Sequence, residues 1–424
     1  MIKRSLALIL AVILAVSAAA CGGSESKASV YWLNFKPELD ETIRTLAEKY
    51  TADTGTQVKI VTAASGSYET TLTSEMDKSN PPTLFVIGNQ QAVADWGEFA
   101  IDLKDTAIAK ELNTDNYNLY DEQGRLVSIG YCYECYGIIT NPDLIEKAGH
   151  SMDEIKNFDG LKAVAEDIHA RADELGFDAF SSCDMDDSSS WRFTAHMANL
   201  EYFYEARDEG GWSKCPPSIK GTYMQNYKNL YDLCINNSIS APTSLATGGH
   251  DAENEFCSEK AVFFVNGSWE YNYVIDAVPN AVMIPYYCGV EGEEKAGLNC
   301  GTENCWAVNA LVSEEKQKAT IDFMVWLVSN PEASEFMVNA LGIMPYKRAS
   351  ESFNGFLKDA DKYSEKGCYN MNWDTDFQPN PNEYRKDLVS ALNAYNADQS
   401  DSNWELVRSA FVDGWAKQYE LING

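Results

Sequence analysis

Aromatic rings that stand beside amides and carboxylates are the residues in this sequence best suited to hold a ligand. Aromatic residues make up 12% of the chain, with ten Trp and 23 Tyr, a generous share for a soluble protein. Trp32 and Asn34 close one apolar run, and Glu303 and Asn304 precede another. Rings pack on the C–H faces of a ligand, while amides and carboxylates pair with its hydroxyls. These residues predict a site for a neutral, hydroxyl-rich molecule, with a half-buried core ring as the alternative for Trp32.

The motifs of the common hydrolytic and phosphate-binding sites are missing from the sequence. It has no G-x-S-x-G elbow, no H-E-x-x-H pair and no P-loop lysine, and its four histidines show no metal-ligand spacing. A glycoside hydrolase needs two carboxyl groups at a defined separation, but 64 acidic residues single out no pair. We therefore expect a binding protein without cofactor or metal, and a glycoside hydrolase is the weaker alternative.

The charge of the chain indicates which classes of ligand and partner the protein can bind. The formal net charge is −31 at pH 7. Such a surface repels phosphate backbones, so we expect no binding to nucleic acid. It also discourages anionic ligands unless their site is locally basic. A neutral ligand fits the charge best, and a polyamine stays open as a cationic alternative.

The N-terminal residues predict export and a lipid anchor. Lys3 and Arg4 precede an apolar run over 6–16, which is too short to span a bilayer. The run 18–21, Ala-Ala-Ala-Cys, resembles a bacterial lipobox, in which Cys21 would receive the lipid. We expect a lipoprotein signal peptide over 1–20 and a flexible tether over 21–28. An ordinary signal peptide cut near Ala20 is the alternative.

The rest of the chain alternates between strand and helix patterns. Apolar runs over 29–33, 58–62 and 83–87 are separated by segments with helical spacing, such as 39–50. Continuous apolar runs of this length are typical of strands that are covered on both faces. Without a low-complexity linker, the length of the chain predicts two α/β domains between which the chain crosses more than once.

Four stretches together carry a resemblance to a known family: 46–60, 136–149, 260–269 and 305–345. In this order and spacing they resemble the family 1 extracellular solute-binding proteins. The resemblance implies a two-lobed, periplasmic-binding-protein-like α/β fold of the class II type, with three interdomain crossing segments and hinge closure. It places the crossings near 133–137, 285–289 and 343–347. The implied N-terminal lobe is 29–133 plus 289–343, and the C-terminal lobe is 137–285 plus 347–424.

The resemblance also implies further ligand-binding residues on loops between the lobes. Glu134, at the first crossing, matches a position where the family often has a sugar-binding carboxylate; a hinge salt bridge is its alternative. For the other residues, burial in the core, surface capping or ion pairing is the alternative. The remaining candidates are Asn89, Gln90, Trp191, Arg192, Trp269, Glu270, Tyr286, Trp373 and Tyr384.

The function that the resemblance implies is transport. Members of the family are the carbohydrate-binding components of ABC importers. We therefore expect a monomer that captures a carbohydrate, an oligosaccharide rather than a monosaccharide, and delivers it to the permease subunits of its importer. Its contact with the membrane would be through the lipid anchor only, on the outer face of the cell membrane. A binding protein for a non-sugar solute, such as a polyamine or peptide, is the alternative.

Ten cysteines follow Cys21, and two pairs of them are close in sequence: Cys132 with Cys135, and Cys300 with Cys305. In an exported protein an even number of cysteines is compatible with disulfides. A zinc site with four thiolate ligands from the two pairs is a further alternative. A chain of this length needs no such reinforcement, so we expect buried structural thiols for most of them.

Overall fold

A computed structural model gives the structure of the protein and describes residues 30–64, 66–186 and 188–423. The predicted signal peptide, Cys21 and the tether lie outside the described residues. Across these ranges, no helix has the length and apolar character needed to cross a membrane. The described chain forms two β-sheets accompanied by many helices, and the α/β prediction is confirmed.

The described residues contain twelve strands and seventeen α-helices, numbered here along the chain. The strands are β1 (Val30–Asn34), β2 (Val58–Thr62), β3 (Leu84–Val86), β4 (Asn118–Tyr120), β5 (Leu126–Gly130), β6 (Glu134–Thr140), β7 (Asp178–Phe180), β8 (Ala261–Gly267), β9 (Val282–Ile284), β10 (Ala296–Gly301), β11 (Cys305–Val308) and β12 (Tyr369–Asn372). The helices are α1 (Asp40–Thr54), α2 (Tyr68–Met76), α3 (Gln90–Trp96), α4 (Ala107–Glu111), α5 (Pro142–Lys147), α6 (Phe158–Ala170), α7 (Ala172–Leu175), α8 (Asn199–Asp208), α9 (Met224–Asn236), α10 (Pro242–Leu245), α11 (Ala252–Cys257), α12 (Tyr271–Ala277), α13 (Glu314–Ser329), α14 (Pro331–Leu341), α15 (Gly355–Glu365), α16 (Pro381–Ala397) and α17 (Asp401–Asn423).

The first sheet has the order β2-β1-β3-β11-β5-β4. β1 runs parallel to β2 and β3, and β11 is antiparallel to β3 and β5. All five residues of β1, Val-Tyr-Trp-Leu-Asn, are buried. This burial on both faces explains why the strand is apolar throughout instead of alternating. α1 ends at Gly55, whose φ of 77° is the left-handed conformation that glycine adopts without strain.

The second sheet has the order β12-β10-β6-β8-β7, and β9 also pairs with β6. β6 lies at its centre and is antiparallel to β8, β9 and β10. All seven residues of β6 and all seven of β8 are buried. The start of β6 lies beside the end of β8, since Tyr136 pairs with Gly267. That end of the sheet faces the first lobe.

The chain crosses between the sheets three times. It leaves β5 and enters β6 through 131–133, and it leaves β10 and enters β11 through 302–304. The predicted division places 289–343 in the first lobe, but β10 pairs with β6 and β12 in the second sheet. The second crossing therefore falls at 302–304 instead of 285–289. The third crossing follows Tyr346, which still pairs with Leu112 of the first lobe.

A carboxyl pair is buried in the second lobe on α8. Glu201 is fully buried, and Glu205, one turn later, accepts the backbone N–H of Lys220 at 2.7 Å. Burial, together with the neighbouring Glu205, raises the pKa of Glu201 to about 9. The folded protein therefore holds a proton on Glu201 at neutral pH, where the unfolded chain has released it.

We expect this proton to make the wild-type protein less stable as the pH rises from about 4.5 to about 9, with a slope of up to about 1.4 kcal/mol per pH unit. Glu201→Gln keeps the shape and removes the titration. The difference in Tm between this variant and wild type should therefore grow from pH 5 to pH 9 in scanning calorimetry. Glu335→Gln, at an exposed position on α14, serves as the control. A Tm difference for Glu201→Gln that is the same at every pH would contradict the prediction.

Candidate functional site

Five rings of the second lobe form a continuous cluster at the end of β6 that faces the first lobe. We call Tyr136, Trp191, His196, Trp269 and Trp373 the ring cluster. Tyr136 stacks on His196 with ring centres 4.1 Å apart and planes 6° apart, and on Trp373 at 5.1 Å. Trp269 lies 5.4 Å from His196 and 5.9 Å from Trp191. Three of the five, the tryptophans, are residues that the sequence predicts for the site.

Two glycines make room for the rings. A Cβ atom at Gly267 would lie 2.1 Å from the Trp269 ring, and one at Gly301 would lie 2.5 Å from the Trp373 ring. Both distances are shorter than real contacts of a Cβ atom. The Trp269 ring therefore lies directly on the backbone of β8 and the Trp373 ring on that of β10, because both strands end in glycine.

The ring cluster contains polar atoms that the protein itself does not satisfy. Tyr136 Oη, His196 Nδ1 and Trp373 Nε1 are buried and have no hydrogen-bond partner among the described residues. Burial, reinforced by Arg385, Arg192 and Lys36, lowers the pKa of His196 well below its usual value. His196 is thus a neutral imidazole. Since buried polar groups are normally paired, these atoms are suited to a bound molecule that brings its own hydroxyls.

The first lobe approaches the ring cluster with an ion pair. Lys36 Nζ lies 2.7 Å from Glu134 Oε1 and 5.5 Å from the centre of the Trp269 ring. Asn304 Nδ2 donates to Glu134 Oε2 at 2.7 Å. Burial alone would lower the pKa of Lys36, but the carboxylate of Glu134 outweighs it and raises that pKa. Both carboxylate oxygens of Glu134 are therefore bound by protein groups. This arrangement corresponds to a hinge salt bridge, the alternative to a sugar-binding role for Glu134.

A second contact between the lobes joins α3 to the 3₁₀ turn Asp374–Phe377. A Cβ atom at Gly88, two residues before α3, would lie 2.4 Å from the Glu303 carbonyl oxygen, so the backbone at Gly88 packs directly against Glu303. Burial raises the pKa of Asp374 to about 7, and burial with the nearby Glu303 raises the pKa of Asp376. Asn89 Oδ1 accepts a hydrogen bond from the Ala92 N–H at 2.8 Å and so caps α3. Capping was the alternative to a role of Asn89 in ligand binding.

Arg192 and Glu270 lie at the edge of the ring cluster. The Arg192 guanidinium lies 4.2 Å from the centre of the Trp191 ring, and its Nε donates to the Val265 carbonyl at 3.1 Å. Glu270 accepts a hydrogen bond from Asn266 at 2.9 Å. Burial and the neighbouring Glu253 raise the pKa of Glu270 to about 7. Arg192 is therefore held by the protein, and the carboxyl of Glu270 titrates near neutral pH.

The structure buries four of the predicted site residues in the cores, although the Tyr286 ring there lies 5.8 Å from that of Tyr136. Trp32 of β1, Tyr286 after β9 and Tyr384 of α16 are fully buried in the cores. Trp32 packs edge-on against Trp306 at 5.8 Å, and the Tyr384 hydroxyl donates to the Phe411 carbonyl at 2.9 Å. Asn34 is also buried, and its Nδ2 donates to the Lys36 carbonyl at 2.6 Å. Trp32, Tyr286 and Tyr384 are therefore core rings, which was the alternative to a role in ligand binding. Asn34 positions Lys36.

Three residues of the site are not predicted by the sequence argument: Lys36, Tyr136 and His196. Tyr136 stands two residues after Glu134 in a strand, which places both side chains on the same face of the sheet. That periodicity is a signal that could have found it. His196 lies on the π-helical turn Arg192–Met197. A residue count based on an α-helix places it differently relative to Trp191, so its position is not readable from the sequence.

Comparison with known proteins gives the family. The model of a family described as bacterial extracellular solute-binding protein matches residues 45–362. Comparison with curated protein sequences gives no match. The fold is similar to RafE in complex with raffinose, with 16% identity, a TM-score of 0.69 and coverage of 92% of this chain and 99% of that chain.

Two other solved structures extend the comparison. A chitin oligosaccharide binding protein has 14% identity and a TM-score of 0.70, with coverage of 93% and 100% of the two chains. UgpB from Mycobacterium tuberculosis in complex with glycerophosphocholine has 14% identity and a TM-score of 0.65, with coverage of 93% and 98%. These likenesses agree with the two-lobed fold. Since the family model spans well over half of the sequence, the chain belongs to the bacterial extracellular solute-binding proteins.

Proposed function

We propose that this protein is the substrate-binding component of an ABC importer and that it captures a neutral oligosaccharide between its two lobes. The observation that carries the proposal is the ring cluster with its unpaired Tyr136, His196 and Trp373 atoms. Flat ring faces and isolated neutral hydrogen-bonding groups are together what a sugar needs. The structures with raffinose and of a chitin oligosaccharide binding protein support the same class of ligand.

The polar groups of the site can pair with ligand hydroxyls both as hydrogen-bond donors and as acceptors. Trp373 Nε1 can only donate, while the Tyr136 hydroxyl can donate or accept. Asp376 Oδ1 is also buried and unpaired, and the Asp376 carboxyl lies near Tyr136. Glu303 and Asp374 make this side of the site acidic, and Lys36 is neutralised by Glu134. Since Arg192 and Arg385 also lie near His196, the site has charges of both signs, and a neutral sugar can bind without pairing with any of them.

Groups from both lobes surround the ring cluster, which gives a mechanism for delivery. A sugar on the rings would also lie near Lys36 of the first lobe and Glu303 of the crossing 302–304. A ligand that contacts both lobes favours the closed arrangement by the difference in its affinity for the closed and open forms. The closed complex is then the form that the permease subunits recognise.

The proposed location follows from the N-terminal sequence. We propose that Cys21 carries the lipid, that the tether 21–28 lets the two lobes stand off the membrane, and that the protein is an extracytoplasmic monomer. Mass spectrometry of the protein extracted from its own membrane would detect the lipid on an N-terminal Cys21. An unmodified N-terminus at or near Cys21 would instead support an ordinary signal peptide cut near Ala20 and secretion without an anchor.

A second candidate is the binding of a non-sugar solute. Two observations favour it: UgpB, of the same fold, was solved with glycerophosphocholine, and carboxyl groups such as Glu253 and Glu270 lie beside the ring cluster. Rings and carboxylates together can also hold a cationic group. A polyamine, a peptide or a choline ester is therefore the class to test against sugars.

We expect calorimetric titration of the protein lacking residues 1–21 to give saturable heat with one class of oligosaccharide, at one ligand per chain. The panel comprises raffinose, stachyose, malto-oligosaccharides and chitin oligosaccharides, with monosaccharides for comparison. Spermidine, a peptide mixture and glycerophosphocholine are the controls. Heat from a control and none from the sugars would support the second candidate function, the binding of a non-sugar solute. Chromatography of the sugars after incubation also tests for hydrolysis, and products would support the glycoside hydrolase alternative.

A further inference from the structure

Two cysteines face each other on neighbouring strands of the second sheet. Cys135 of β6 is the direct partner of Cys300 of β10 in the antiparallel ladder. The Cys135 N–H donates to Ser268 Oγ at 3.1 Å, on the side of β8, so Cys135 and Cys300 form a non-hydrogen-bonded pair. In such a pair the Cα atoms lie about 4.5 Å apart, which is within the range that a disulfide requires.

The two thiols differ in exposure. Cys135 is fully buried, with its Sγ 3.8 Å from Met283 Sδ and 3.6 Å from the Phe356 carbonyl oxygen. Cys300 is partly exposed, and its Sγ lies 3.6 Å from the Leu298 carbonyl oxygen. Burial and the adjacent Cys300 thiol raise the pKa of Cys135. A reagent from solution therefore reaches Cys300 first, and the only thiol opposite it in the ladder is that of Cys135.

We propose that Cys135 and Cys300 are a disulfide-forming site that reacts with small disulfides such as oxidised glutathione. The Cys300 thiolate attacks one sulfur of the reagent, whose S–S bond breaks and releases one glutathione thiolate, which takes a proton from water. Cys135 then attacks Cys300 Sγ and expels the second glutathione as a thiolate, which takes up the proton that Cys135 releases. The two protein thiols lose two electrons in total, and the reagent is reduced to two thiols.

The site lies where two of the three crossings enter the second lobe. Cys135 follows the crossing 131–133, and Cys300 precedes the crossing 302–304. Alternate residues of a strand point to opposite faces, so the bond would form on the face away from Tyr136 and the ring cluster. It would close the long loop formed by residues 136–299 and so restrict the unfolded chain. The oxidised protein should gain stability while the ring cluster stays in place.

The test treats the purified protein with oxidised glutathione, blocks the remaining thiols and maps them by peptide mass spectrometry. We expect a cross-linked Cys135–Cys300 peptide, the loss of two alkylatable thiols, and a Tm about 5 °C above that of the reduced protein. Cys300→Ser should give neither the cross-link nor the shift. Cys257→Ser, at another partly exposed cysteine, should behave as wild type.

Two outcomes of this experiment would contradict disulfide formation between Cys135 and Cys300. Glutathione retained on Cys300 without a cross-link would overturn the proposal, as would a Cys300→Ser variant that still gains the full rise in Tm. Because no sugar takes part in the experiment, its outcome is independent of the proposed transport function.

Discussion

Trp269→Ala is expected to weaken binding of the oligosaccharide by roughly 100-fold, since a buried aromatic contact contributes about 2–3 kcal/mol. Trp269 touches His196 and Trp191 within the ring cluster and lies beneath Lys36 of the first lobe. It is therefore the ring that both lobes share. Alanine removes the face on which a sugar would stack and leaves the backbone of the 3₁₀ turn Ser268–Glu270 unchanged. Calorimetric titration with the sugar identified in the panel measures the effect.

Trp326→Ala is the matched control for this change. Trp326 is a half-buried ring of α13 in the first lobe, 5.2 Å from Tyr50, and it is not part of the ring cluster. We expect it to lower Tm while the Kd stays within about twofold of wild type. If the two variants lost affinity to the same extent, the effect would come from general destabilisation, and the ring cluster would not be the binding site.

Lys36→Met is expected to lower the free energy of unfolding by about 3–5 kcal/mol, because it leaves the buried Glu134 carboxylate without its cation. The Lys36 side chain is 10% exposed and that of Glu134 is 3% exposed, so solvent can replace little of the lost attraction. Methionine keeps the length of the side chain and its packing against Trp269. Denaturant unfolding followed by far-UV circular dichroism measures the loss.

A double variant separates the charge from the packing. Lys36→Met combined with Glu134→Gln removes both charges and keeps an acceptor for Asn304, so it should recover more than half of the lost stability. Lys49→Met breaks an exposed Lys–Glu pair, with Glu332 at 2.8 Å, and should leave the midpoint almost unchanged. A double variant as unstable as Lys36→Met alone would show that packing, and not the ion pair, holds this contact between the lobes.

The sequence predicts the framework better than it predicts which rings reach the ligand. Trp269 is readable because it follows an apolar strand that ends in Asn-Gly. Trp32 and Tyr384 have the same kind of polar neighbours, yet both are buried in cores. Whether a ring faces a core or a cleft depends on which distant helix covers it, and this information is absent from local sequence.

The second crossing shows the same limit for the backbone. β10 reads Ala-Gly-Leu-Asn-Cys-Gly, a sequence with weak strand character, and it is a strand because β6 and β12 lie on either side of it. Pairing over such a separation along the chain leaves no local periodicity. For Glu134 the sequence leaves two roles open, and the ion pair with Lys36, which only the three-dimensional structure reveals, corresponds to the hinge salt bridge.

The buried carboxyl groups have a further consequence for how the chain exchanges protons with its surroundings. The sequence has 64 acidic side chains. Burial nevertheless raises the pKa of Glu201 to about 9 and also raises that of Asp376, so both favour the protonated form in the folded protein. Folding near neutral pH therefore takes protons from the medium. The heat of refolding will include the ionisation heat of the buffer, and refolding in a weakly buffered solution will make that solution more alkaline.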